Sequence, residues 1–230
     1  MHNQYFQDIT QEYLSYASAG GWGASINYLN FGDIPKTTIS NPSGAGLGAV
    51  ALKDTALGAG YAMALSKNLL FGSGVKFVKE SIAGVTAQGV MFDFGIMANV
   101  PSIENLTIGL ALKDIGPNIK FQDTNEHLPF SINAGAAYKF NLYRQKTVVS
   151  LDAQKTRDED VVFKLGAELL AGGIVPLRAG FTTANDDGLG ISIGTGYSSQ
   201  NISVDYAYVP FKDLGNTHRF SLSFRWGKRS

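Results

Sequence analysis

Apolar residues alternate with small or polar ones at a period of two, in segments of about ten residues repeated along the whole chain. Successive side chains of an extended strand point to opposite faces, so each such segment makes a ribbon with one apolar face and one polar or small face. In Leu189-Gly190-Ile191-Ser192-Ile193-Gly194-Thr195-Gly196-Tyr197 one face is Leu, Ile, Ile, Thr, Tyr and the other is Gly, Ser, Gly, Gly. In Arg219-Phe220-Ser221-Leu222-Ser223-Phe224-Arg225-Trp226 the apolar face is Phe, Leu, Phe, Trp, opposite Arg, Ser, Ser, Arg. The pattern runs back through 202–208, 177–181, 163–169, 149–153, 132–140, 108–112, 90–96, 71–77, 57–65 and 22–31, and with 12–17 makes about thirteen strands. A helix would need apolar residues at i, i+3, i+4 and i+7, and each Gly in these segments would cost it about 1 kcal/mol. Very little helix is expected.

The apolar faces need a medium. Charged residues are 17% of the chain, against roughly 25% in soluble domains, so a soluble β-sandwich with this many strands would keep a greasy exterior. No stretch approaches the roughly 20 apolar residues of a spanning helix, which leaves strands as the means of crossing a membrane. The fold class expected is therefore all-β, an antiparallel transmembrane β-barrel forming a single domain over residues 1–230. Its connections alternate: a tight set near Gly20, Lys67, 100–105, 141–146, Gly172 and Ser199, and a second set at 32–53, 116–128, 157–160, 185–187 and 210–217. In a bacterial barrel the short set faces the periplasm and the long set the outside.

Arg or Lys on the lipid face at mid-bilayer costs about 2 to 4 kcal/mol, so the faces carrying Lys76, Asp93, Lys113, Lys139, Asp152, Lys164, Glu168, Arg178, Asp205, Arg219 and Arg225 must point inward. On neighbouring strands Glu168 is placed to meet Arg178, and Asp205 to meet Arg219, as structural charge pairs in the lumen. Trp22, Tyr61, Tyr197, Tyr208 and Trp226 recur near strand ends, as an aromatic girdle requires. Inward Gly and Ala, such as Gly58, Gly60, Ala62, Gly135, Gly190, Gly194 and Gly196, either leave room for a plug or an apolar ligand or simply let a tilted sheet close.

Candidate chemistry is thin. With 19 basic and 19 acidic residues the formal charge is zero, so nothing argues for nucleic acid. There is no Cys, which removes thiolate catalysis and disulfides. His2, His127 and His218 are scattered, without the spacing of a zinc site. His218, Ser221 and Asp213 suggest a triad only until strand geometry is applied: residues three apart point to opposite faces. Gly44-Ala45-Gly46-Leu47-Gly48 and Gly188-Leu189-Gly190 have neither the dinucleotide nor the P-loop spacing, and Asn41-Pro42-Ser43 reads as turn chemistry. No catalytic, cofactor or metal site is expected, and the protein is read as a non-enzyme. The long loops at 32–53 and 116–128 are where a partner contact is expected.

Several segments resemble the PorV/PorQ group of bacterial outer-membrane proteins, within the wider FadL-like barrels. They are Tyr5-Phe6-Gln7-Asp8-Ile9 with Glu12-Tyr13-Leu14, Asn27-Tyr28-Leu29 with Gly32-Asp33-Ile34-Pro35, Val75-Lys76-Phe77 with Glu80-Ser81-Ile82-Ala83-Gly84, and Leu110-Ala111-Leu112-Lys113-Asp114-Ile115-Gly116. Leu177-Arg178-Ala179-Gly180-Phe181 and the block from Asp205-Tyr206-Ala207-Tyr208-Val209-Pro210-Phe211 to Leu222 complete the set, the last being the most specific. The resemblance implies a fourteen-stranded FadL-like barrel in the outer membrane, with the secretion signal, the plug and most of the first strand absent from the chain and residues 1–7 as that strand's end. It also implies a role in type IX-like protein secretion or surface attachment, with a secreted cargo protein or an attachment complex as partner beside the membrane lipid. The alternative is a FadL-like transporter of hydrophobic small molecules. Trp226 resembles the aromatic of a C-terminal assembly signal, with Gly227-Lys228-Arg229-Ser230 added beyond it.

Overall fold

The computed structural model describes residues 1–5, 9–121, 124–184, 190–211 and 215–227. Its strands are β1 (His2–Gln4), β2 (Thr10–Ala17), β3 (Trp22–Pro35), β4 (Ala49–Ser66), β5 (Leu69–Ile82), β6 (Val85–Asn99), β7 (Leu106–Ile115), β8 (Ile119–Phe121), β9 (Thr124–Glu126), β10 (Ser131–Leu142), β11 (Gln145–Thr156), β12 (Val161–Ala171), β13 (Val175–Thr182), β14 (Ile191–Ser198), β15 (Ile202–Phe211) and β16 (Gly215–Phe224). All except β8 and β9 join in one closed barrel, each paired antiparallel with its sequence neighbour, and β1 sits between β16 and β2 to close it. No helix occurs among the described residues. Fourteen strands thus form the wall, one more than the alternation alone suggested.

Several strands run further than expected. Residues 32–53, read as one long loop, are strand as far as Pro35 and again from Ala49, with β3 bulged between Asn30 and Asp33. The loop expected at 210–217 is strand up to Phe211 and from Gly215, leaving 212–214 outside the described residues, as the expected turn at 185–187 also is. Of the two-residue connections among the described residues, Ala83-Gly84 and Tyr143-Arg144 have positive φ at both positions (55° and 85°, 48° and 64°). That conformation matches the right-handed twist of the strands it joins.

The register sorts side chains into two faces. Rows such as Ile26–Leu57–Phe77–Val90 point outward, and Ser25–Gly58–Lys76–Met91 points inward. Around the middle of the wall the outer face is apolar and exposed: Leu57, Phe77, Phe92, Ile96, Leu110, Leu151, Phe163, Leu165, Ile193, Val204 and Leu222 are all more than a third accessible. In water this surface would be unstable, whereas in hydrocarbon it is the proper solvent contact. The conventional core is correspondingly small. Among the described residues only Ala87, Met91, Ile119 and Leu128 are buried hydrophobics, with Val78 packed against them.

This small cluster revises the expected loop at 116–128. Within it β8 and β9 form their own two-stranded sheet, and Ile119 and Leu128 pack on Ala87 and Met91 of the β6 inner face. Gly89 makes room: a Cβ there would collide with the Ile119 side chain. The segment is therefore anchored against the wall from within. The opposite weakness lies at the seam, where β1 contributes only three ladder positions on each side. Met1 adds a reciprocal backbone pair with Tyr13. Beyond it, no backbone ladder joins 14–17 to 221–224 among the described residues. The rings of Tyr16 and Trp226 stack there at 5.7 Å.

Candidate functional site

The inner wall is rich in Gly, Ala and Ser and carries charges, six of which the structure gathers into two groups. In the first, the Arg178 guanidinium on β13 donates through Nε to Glu168 of β12 at 2.6 Å and through Nη1 to Asp205 of β15 at 2.5 Å. Asp205 is not on an adjacent strand, since β14 lies between. Arg178 reaches it because the β14 residues at that level are Gly194, opposite Arg178, and Gly196, opposite Asp205. A Cβ on Gly196 would sit 2.8 Å from the Asp205 carboxylate.

In the second group, Lys76 of β5 is 3.0 Å from Asp93 of β6 and also bonds Asp114 of β7. A bulge creates this arrangement. Phe94 pairs with Leu112 and Phe92 with Ile115, so Lys113 and Asp114 together oppose Asp93. Asp114 holds φ at +60°, a left-handed conformation that is strained for most residues and milder for Asp. Its amide donates to Asp93 Oδ1 at 2.9 Å, which offsets part of that strain.

In both groups one cation is shared by two carboxylates while remaining partly open to the lumen. The same economy recurs nearby. Asp152 lies over Gly135, Ser150 over Gly166 and Ser192 over Gly180, each at a place where a Cβ would collide with it. Asp152 is also in register with Lys164, whose Nζ donates to Gln154 at 2.7 Å. A hollow of about 290 Å³ at the first group is bordered by Arg178, Asp205, Arg219, Ser192, Gly194 and Ser221.

Of the four residues expected to pair in the lumen, Glu168 and Arg178 meet, but Asp205 takes Arg178 rather than Arg219. Arg219 instead lies over the ring of Tyr5, 5.8 Å from its centroid. The cause is the glycine strand between them, which alternation within a single segment does not reveal. Trp22, Tyr61, Tyr197 and Trp226 are exposed by half or more at the short-turn end, with Trp22 and Tyr61 directly opposite each other. Tyr208 lies near the other end of β15, packed on His218. The histidines have separate partners: His2 bonds Glu12 at 2.5 Å, His127 bonds Asn118 at 2.8 Å and His218 bonds the Tyr206 hydroxyl at 2.9 Å. His218 and Ser221 fall on opposite faces of β16, and Asp213 lies outside the described residues.

A closed antiparallel wall with an apolar outside and a small, charge-bearing inside defines a bacterial outer-membrane β-barrel. Solved structures of that class are similar along almost the whole chain. The Pseudomonas putida toluene transporter TodX matches with a TM-score of 0.57 at 11% identity, covering 96% of this chain and 84% of that one. The KdgM porin matches with a TM-score of 0.50 at 10% identity, covering 98% and 96%. The Acinetobacter baumannii outer membrane protein Omp33 matches with a TM-score of 0.50 at 12% identity, covering 97% and 99%. No family model and no curated protein matches the sequence.

Proposed function

We propose that this outer-membrane barrel is a passage for small polar molecules, with the inner wall deciding what enters. The observation that carries this reading is the inner face itself. Glycines replace bulk along the strands, two cations lie between paired carboxylates, and inward residues such as Gly58, Lys76, Gly166, Arg178 and Gly194 stay partly accessible. A porin and a transporter among the similar folds are in keeping with solute passage. A route for hydrophobic molecules, the alternative drawn from the sequence, would need a continuous apolar track. The buried apolar side chains inside the described barrel form one patch, occupied by its own Ile119 and Leu128.

A second reading, a secretion or attachment role like that of the PorV group, is favoured by a different observation. Two of the three members of each charge group lie in segments that carry that resemblance: Lys76 with Asp114, and Arg178 with Asp205. The test is liposome swelling in isosmotic sugars of increasing size, with bilayer current recorded in parallel. Swelling by small sugars and not by large ones is expected. A folded barrel that admits neither sugar nor ions would overturn the passage reading and leave the secretion role, which loss of surface cargo in a deletion strain would test.

A further inference from the structure

Strands β3 to β6, of 14, 18, 14 and 15 residues, are longer than the remaining wall strands. Their extra length lies at the long-loop end, and there the outward face changes character. The last fully apolar outward row is Ile26–Leu57–Phe77–Val90. The next outward row is Tyr28–Thr55–Lys79–Gln88, and the one beyond it is Asn30–Lys53–Ser81–Thr86. Eight outward positions on four adjacent strands thus hold hydroxyls, amides and two ammoniums, with no carboxylate. Glu12 of β2, beside Tyr28 in the first row, is taken up by His2.

Lys53 and Lys79 are exposed, and neither has an ion-pair partner among the described residues. They sit on neighbouring strands two register steps apart, since Lys53 opposes Ser81 and Thr55 opposes Lys79. Such diagonal neighbours are roughly 7–8 Å apart, within reach of one group for two long side chains. On β10, β12 and β14 the outward face stays apolar to the strand end, at Ile132, Val161 and Ile191. The polar rows therefore belong to one sector of the barrel. A surface immediately above hydrocarbon contact, bearing two flexible ammoniums among hydroxyl and amide donors, complements a phosphate held at headgroup height.

We propose that the outward rows of β3 to β6 bind the phosphate monoester headgroup of a lipid in the loop-side leaflet, with Lys53 and Lys79 sharing the phosphate and Tyr28, Thr55 and Asn30 bordering it. The occupant is a lipid rather than free phosphate because its acyl chains lie on Ile26, Leu57 and Phe77 directly below. The site is on the outer face, so it is independent of what passes through the lumen.

The test is native mass spectrometry of the folded barrel released from mixed micelles containing a phosphorylated glycolipid or its dephosphorylated counterpart. The wild type is expected to retain the phosphorylated lipid only. Lys53→Gln with Lys79→Gln should lower retention roughly ten- to thirtyfold, the effect of two ammoniums at a membrane surface. Lys53→Arg with Lys79→Arg should restore it. Lys155→Gln, an outward change on β11 where the ammonium bonds the Glu159 carbonyl, should leave it unchanged. Equal retention of both lipids, competition by inorganic phosphate at the same concentration as lipid, or undiminished binding in a folded double Gln variant would overturn the proposal.

Discussion

At the scale of single residues, the inner wall is governed by which side chain lies over which glycine. Asp152 rests where a Cβ on Gly135 would be, and Asp205 leans over Gly196. Glycine is needed here for the space it leaves. Gly135→Val is expected to push Asp152 off the wall and to destabilise the barrel by about 1–3 kcal/mol, the usual penalty for overpacking. The measurement is the temperature at which unboiled protein loses its compact gel migration, with Gly135→Ala giving a smaller decrease. Residue-level partners were only half legible in the sequence. Glu168 and Arg178 face each other on adjacent strands, which alternation and a short turn suffice to predict. Arg178 and Asp205 are joined across an intervening strand, and Lys76 and Asp114 through a bulge that turns two consecutive residues inward. Neither a skipped strand nor a bulge leaves a mark on the local period.

At the scale of elements, the period of two read nearly every wall strand and the sense of its faces, because one residue of slip would put Lys76, Arg178 or Asp205 into lipid. Ile193→Arg, on the outward face two residues further into the wall than the strand end, should therefore block insertion, at a cost of about 2 to 4 kcal/mol. Membrane fractionation checks this, and normal insertion would mean that the faces of β14 are reversed. What the period missed are elements too short to show it. β1 offers three residues, and β8 and β9 three each. The inward seat of Ile119 depends on Gly89, some thirty residues earlier, so nothing near 119 announces it.

At the scale of the whole molecule, stability is distributed unlike that of a soluble domain. Among the described residues there is almost no buried apolar centre, and cohesion comes from the continuous ladder around the circumference together with lipid outside. A ring of this kind is as durable as its weakest joint. Between β2 and β16 that joint is three ladder positions and Met1 at one level and the Tyr16–Trp226 stack at another. Trp226→Ala is expected to lower the temperature of the gel-mobility transition while leaving the remaining ladders intact, and an unchanged transition would mean the stack carries no load. The consequence is kinetic. Opening should start as a slit at this joint and travel round the wall one strand at a time, so amide hydrogens of β1 and of the facing edges of β2 and β16 should exchange with deuterium well before those of β4 and β5. The lifetime of the closed cylinder is then set by the contacts of β1 with β2 and β16 and by the Tyr16–Trp226 stack, however well the other strands are zipped.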